Sequence, residues 1–113
     1  MYEIETKEVS TKRFEFLEPV DILYEFDGPR IFTVTDNEGG LNLAYWSDED
    51  EHVTRYMIVP TSRKILDSLR QGALSVHDAL NQPRCWLCDV ARDGKLVRCS
   101  VADFEAIPRD ALR

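Results

Sequence analysis

Apolar residues in this chain fall in short runs broken by glycine, proline and clustered acids, a spacing that predicts strands and tight turns over most of its length. Near the start, Tyr2/Ile4 and Phe14/Phe16 alternate with Glu and Lys, which reads as a short edge strand and a polar connection between residues 2 and 16. Ile22 to Phe26 is the next apolar run. Asp27-Gly28-Pro29 then forces a turn, because Gly tolerates positive φ and Pro holds φ at about −65°. A further strand is expected from Arg30.

Ile31 to Thr35 and Leu41 to Trp46 flank the loop Asp36-Asn37-Glu38-Gly39-Gly40, and their β-branched and aromatic content predicts a hairpin. Ser47 to His52 reads as a charged tip, after which Val53 to Val59 returns as the third strand of a meander. Pro60 ends that strand. Thr61-Ser62 offers an N-cap ahead of Ile65, Leu66 and Leu69, which share one helical face, and Gly72 stops a helix of about three turns. Ser75 with Asp78 has the form of a capping box, with Asp in place of the usual Glu or Gln, and opens a shorter helix through Leu80 that Pro83 closes.

Cys85 to Val90 and Lys95 to Val101 flank Asp93-Gly94, a two-residue turn signal, so a second hairpin follows the helices. Setting Arg92 against Lys95 and counting outward puts Cys88 opposite Cys99, as small buried groups or as an oxidised pair. Val101, Phe104, Ile107 and Leu112 are expected to cover the end of this hairpin.

The fold these elements predict is α+β in a single domain, residues 1–113: a curved antiparallel sheet of meander plus C-terminal hairpin, with one longer and one short helix packed on one face through Ile65, Leu66, Leu69 and Leu80. Tyr45-Trp46 and Tyr56-Met57-Ile58-Val59 carry apolar side chains on both parities, so the second sheet face or an edge is expected to serve a homo-oligomer.

Length and composition support one packed globule. The chain has 113 residues, 43% of them hydrophobic, with 5 Phe, 4 Tyr and 2 Trp, far from a disordered composition. Its 21 acidic and 14 basic residues leave a net charge of −7, which argues against non-specific binding to nucleic acid or anionic lipid and requires any anionic ligand to find a local basic exception. No apolar run is long enough to span a membrane, and residues 1–8 carry acids where a signal peptide carries bases, so the expected location is cytoplasmic. Cys85, Cys88 and Cys99 are too few and too uneven for a secreted disulfide scaffold.

The order Asp27-Gly28-Pro29-Arg30, Asn37, Gly39, Tyr45-Trp46, Asp48-Glu49-Asp50-Glu51, Ile58-Val59-Pro60-Thr61-Ser62, Leu69-Arg70-Gln71-Gly72 and Asp78-Ala79-Leu80 resembles a family of small bacterial and phage proteins of unknown function, over roughly residues 22 to 81. The resemblance implies no activity. Where it leads one to expect Glu-Glu after the capping Ser, this chain has Arg63-Lys64.

That departure carries the sharpest site hypothesis. A helix start favours acids, so bases there are misplaced unless something anionic rests on them. Thr61, Ser62, Arg63 and Lys64 form a set of donors suited to phosphate or carboxylate, with Arg30 and Arg55 placed to join them and Tyr45, Trp46 or Tyr56 to stack a base. The plainer reading points both bases into solvent or pairs them with the acidic tip. Glycine-rich phosphate loops are absent.

Asp48, Glu49, Asp50 and Glu51 read either as a solvated tip or as a phosphate-mimicking surface for a host protein. No metal site is expected from three Cys, His52 and His77 without paired spacing, nor a dithiol at Cys85/Cys88, which face opposite sides of a strand. No catalytic set emerges and no cofactor is expected. The sequence therefore points to a non-catalytic binding protein that sequesters a phosphate-bearing nucleotide or signalling molecule, with a role in phage or bacterial defence or counter-defence as the expected setting and an acidic protein-binding inhibitor or nucleic-acid mimic acting through Asp48 to Glu51 as the alternative.

Overall fold

In a computed structural model of the chain, which describes residues 7–8, 14, 19–25 and 27–107, the turn signals deliver one antiparallel sheet. Its strands are β1 (Lys7–Glu8), β2 (Asp21–Glu25), β3 (Pro29–Thr35), β4 (Leu41–Glu49), β5 (Val53–Pro60), β6 (Arg84–Ala91) and β7 (Leu96–Asp103). Their order is β1-β7-β6-β5-β4-β3-β2, so β2 to β7 form a six-stranded meander and β1 pairs onto the outer side of β7. Two helices, α1 (Arg63–Arg70) and α2 (Val76–Leu80), occupy the connection between β5 and β6. The remainder of the residue 2–16 reading and Leu112 lie outside the described residues.

Each turn has a local cause. Asp27 and Gly28 both take positive φ (52° and 106°), and Pro29 follows as the first residue of β3, where its missing N–H costs least. In the next loop the Asp36 carboxylate accepts the backbone N–H groups of Glu38 and Gly40 (3.0 and 2.8 Å), and a Cβ on Gly40 would stand 2.7 Å from that carboxylate. Asn42, buried at the start of β4, donates to Asp36 and to the Gly40 carbonyl. The loop thus satisfies the one amide it buries beside it.

Three details depart from expectation. The charged tip is shorter, because β4 continues through Glu49, with Asp48 opposite Arg55 and Glu49 opposite Thr54. The opposite charges of Asp48 and Arg55 across the strands let the ladder extend into what looked like loop. Helix α1 is also shorter than three turns, at 8 residues: Gln71 caps it, and the N–H groups of Gly72 and Ala73 close back onto the carbonyls of Leu69 and Ser68 around Gly72 at φ 74°.

The second hairpin reaches its anticipated register by a different route. Its turn is three residues, with Ala91 N–H bonded to Lys95 O, Gly94 N–H to Ala91 O, and Gly94 at φ 88°. That offset is cancelled by a bulge, since Val90 faces Leu96 while Asp89 faces Arg98 and Val97 is left over. Cys88 still stands opposite Cys99.

Each sheet face carries its own core. On one, Leu43, Tyr45, Met57, Val59, Cys85 and Leu87 share a buried cluster with Leu66 of α1 and Ala79 and Leu80 of α2. Ser62 and Ser75 accept the N–H groups of Ile65 and Asp78, which starts both helices at the anticipated caps, and Arg70 ties the end of α1 to Asp21 of β2. On the other face, Phe32, Val34, Ala44, Ile58, Cys88 and Cys99 pack with Phe14. The centre of this second face is therefore buried within a single chain, and among the described residues the exposed large apolar side chains are Val20, just before edge strand β2, Ile22 and Tyr24 on it, and Val97 on β7. No helix is long and apolar enough to cross a membrane among the described residues.

Candidate functional site

The residues singled out around α1 do not converge. Strand alternation places Met57 and Val59 on the helix-bearing face and Tyr56 and Ile58 on the other. Trp46 stands directly opposite Tyr56, and the Arg30 guanidinium lies 3.6 Å from the centre of the Trp46 ring, so Arg30, Trp46 and Tyr56 assemble on the helix-free face. Tyr56 also lies four strand residues from Pro60, about 13 Å at the usual rise. Thr61, Ser62, Arg63 and Lys64 thus start α1 at a distance from the rings. Ser62 Oγ is engaged as the cap, at 3.2 Å from Ile65 N, Thr61 Oγ1 is buried without a hydrogen-bond partner, and Arg63 and Lys64 are exposed.

Two further expected members are committed elsewhere. Tyr45 does not face outward: it is 7% exposed, in the core beneath the helices, and burial raises its hydroxyl pKa. Arg55 closes a bidentate ion pair on Asp89, with Nε to Oδ1 at 2.8 Å and Nη2 to Oδ2 at 3.0 Å. Arg55 and Asp89 belong to a row across four strands, Asp48–Arg55–Asp89–Arg98, in which each residue faces the next and the charge alternates. Opposite charges in adjacent strands cancel locally, so this row serves the sheet and offers an anion nothing.

What does assemble is a group of rings beside a cleft. Phe32 and Tyr56 meet edge to face at 5.3 Å, and Trp46 tilts against Tyr56 at 6.1 Å. Phe32 and Tyr56 belong to strands that flank β4, and they touch because Ala44, the residue facing Phe32 on β4, is small. Pro19, Pro29, Phe32, Thr54, Tyr56, Val90, Ala91, Arg92 and Gly94 line a cleft of about 330 Å³ there. Burial pushes the Tyr56 hydroxyl above its ordinary pKa, the positive charge of Arg30 opposes that shift, and Glu49 adds to it.

Arg30, Trp46 and Tyr56 were legible as candidates; Phe32, Thr54 and Arg92 were not. The usable signal was register, since placing Trp46 opposite Tyr56 and the β6–β7 turn beside Thr54 and Val90 would have gathered them on one face.

The four acids at 48–51 are not one surface. Asp48 faces Arg55 and accepts the Glu49 N–H at 2.8 Å, while Asp50 accepts the N–H groups of His52 and Val53 at 2.8 and 2.9 Å and so builds the turn. Those two backbone bonds lower the Asp50 carboxyl pKa. Glu51 is exposed next to His52, and its carbonyl accepts Arg92 Nε at 2.9 Å, which ties this tip to the β6–β7 turn.

His77 lies edge-on against Phe104 at 5.3 Å and 3.8 Å from Asp78, both side chains more than half exposed. Cys85 sits on the helix-bearing face, its pKa pushed up by burial to about 12, and Cys88 lies on the opposite face against Cys99. Among the described residues no group of three His, Cys, Asp or Glu side chains is placed to hold a metal ion.

Residues 14–85 match the model of a family of unknown function (DUF6575). Neither a curated protein nor a solved structure matches the chain.

Proposed function

The chain belongs to that family of unknown function, and we propose from its own residues that it is a non-catalytic binding protein holding a planar, anionic small molecule of the nucleotide type in the cleft beside Tyr56. The observation that carries this reading is one concavity lined by aromatic rings and the Arg92 guanidinium. Tyr56, backed edge-on by the buried Phe32, supplies aromatic surface to a ligand ring, a contact worth about 1–3 kcal/mol per stacked base, and the two prolines wall the slot. Arg92 lines the cleft and Arg30 stacks on Trp46 beside Tyr56, so a chain of net charge −7 has two guanidinium groups near this cleft to meet an anion. The described lining holds rings, the hydroxyls of Thr54 and Tyr56 and a guanidinium, groups suited to holding a ligand, and the reading is one of sequestration.

The test is a thermal-melt screen against nucleoside mono-, di- and cyclic phosphates. A ligand bound only by the native state at a hundredfold excess over Kd stabilises it by about 2.7 kcal/mol. The expected result is an upward shift with at least one member, lost in Arg92→Ala and weakened in Arg30→Ala, and kept in Arg63→Ala. A shift lost in Arg63→Ala and kept in Arg92→Ala transfers the ligand to the start of α1, and no shift with any member overturns the reading.

A further inference from the structure

Cys88 and Cys99 stand directly opposite each other on β6 and β7, with their sulfurs 3.3 Å apart and both residues at 0% exposure. Directly paired residues of antiparallel strands have Cα atoms about 4.5–5.5 Å apart, inside the span that a disulfide bridges. Cys85, three residues along, points to the other face and takes no part. The pair is also the continuation of the cleft's ring row, because Trp46, Tyr56, Cys88 and Cys99 face one another in turn across β4, β5, β6 and β7. Val90, Ala91, Arg92 and Gly94, which line the cleft, belong to the hairpin that these sulfurs would join.

We propose that Cys88 and Cys99 are an oxidative modification site, closing an intrachain disulfide when met by a peroxide, and that the cross-link alters the cleft beside Tyr56. One sulfur attacks the peroxide O–O bond, forming a sulfenic acid and releasing water. The second sulfur then displaces that hydroxyl, the S–O bond breaks, the S–S bond forms and a second water leaves. Two thiols give up two protons and two electrons, and one hydrogen peroxide becomes two waters. The sulfurs must close from 3.3 Å to about 2 Å, drawing β6 and β7 together directly beside Tyr56.

The same burial that brings the sulfurs together slows their reaction. The hydrogen bond to Cys99 and then burial raise the Cys88 pKa, so little thiolate exists in the closed hairpin and oxidation proceeds through its opening. The disulfide is therefore expected to form slowly in the native protein and faster in sub-denaturing urea. Once formed it closes the 88–99 loop and raises the melting temperature by about 10 °C.

The coupling to the cleft rests on the binding reading above; the cross-link itself does not. Wild type and Cys85→Ala are treated with hydrogen peroxide, with iodoacetamide added afterwards, and digested with trypsin, which cuts at Arg92, Lys95 and Arg98 between the two cysteines. The expected product is monomeric, lighter by two hydrogens and reversed by dithiothreitol, with peptide 85–92 linked to peptide 99–109 in both proteins. Full alkylation of Cys88 and Cys99 after peroxide, or linkage only between chains, overturns the site. For the nucleotide found by melting, a tenfold change in affinity between reduced and cross-linked protein supports the coupling, and equal affinity removes it while leaving the cleft assignment standing. If no nucleotide binds either form, the cleft reading fails, the coupling falls with it, and the linked peptide still establishes the modification site.

Discussion

Arg55 and Asp89 face each other across β5 and β6 and join through two parallel hydrogen bonds, with their side chains only 13% and 11% exposed. An ion pair this deep earns its stability from geometry, because both charges have left water and are matched by a bidentate contact. Removing one partner is therefore worse than removing both. Asp89→Ala is expected to destabilise by about 3–5 kcal/mol, and the double replacement Arg55→Met with Asp89→Leu by markedly less. Urea denaturation of the three proteins decides it, and an Asp89→Ala cost under 1 kcal/mol would show that the pair is not desolvated in solution.

Arg63 and Lys64 oppose the positive end of the α1 dipole. Their joint change to Glu is expected to raise stability by about 0.5–1 kcal/mol at low salt, with the gain shrinking as salt is added. Chemical denaturation at two ionic strengths measures both. The same variant should keep nucleotide binding, which separates this helix start from the cleft.

Gly94 holds φ 88° in open space, so a side chain there meets backbone strain and nothing else. Gly94→Ala should cost about 1–2 kcal/mol and Gly94→Asn less, since Asn tolerates the left-handed region. Equal costs for Ala and Asn would refute the strain account and point to a contact made by the turn.

The pH dependence of the β4–β5 turn follows from Asp50. Its folded pKa lies below the ordinary 3.8 because the His52 and Val53 N–H groups bond its charged form. Sign: a depressed carboxyl pKa gives stability that is complete above 3.8 and is lost as pH falls through the folded value. Stability measured from pH 5 downward should decline less steeply in Asp50→Asn than in wild type. Parallel curves would show that the carboxylate is not held by those bonds in solution.

Local physics was enough for much of this protein. Asp27-Gly28, Gly72 and Gly94 need the φ values that they take, Ser62 and Ser75 cap the helices they precede, and alternation separates Cys85 from Cys88, so these caps, these positive-φ positions and this division of faces were written along the chain. The opposition of Cys88 and Cys99 was legible too, although it survives only because the three-residue turn and the Val97 bulge cancel.

Assembly across distant strands decided the rest. Arg55 looked available to a ligand until β6 brought Asp89 beside it, and Arg63 and Lys64 looked like neighbours of Trp46 and Tyr56 until the meander put them at another end and on another face. The cleft draws on residues from 19 to 94, joined by no local spacing. Sequence period sets which side of its own strand a residue takes, but the order of strands in the sheet and the face that receives the helices come from burying two cores at once, which no single segment encodes.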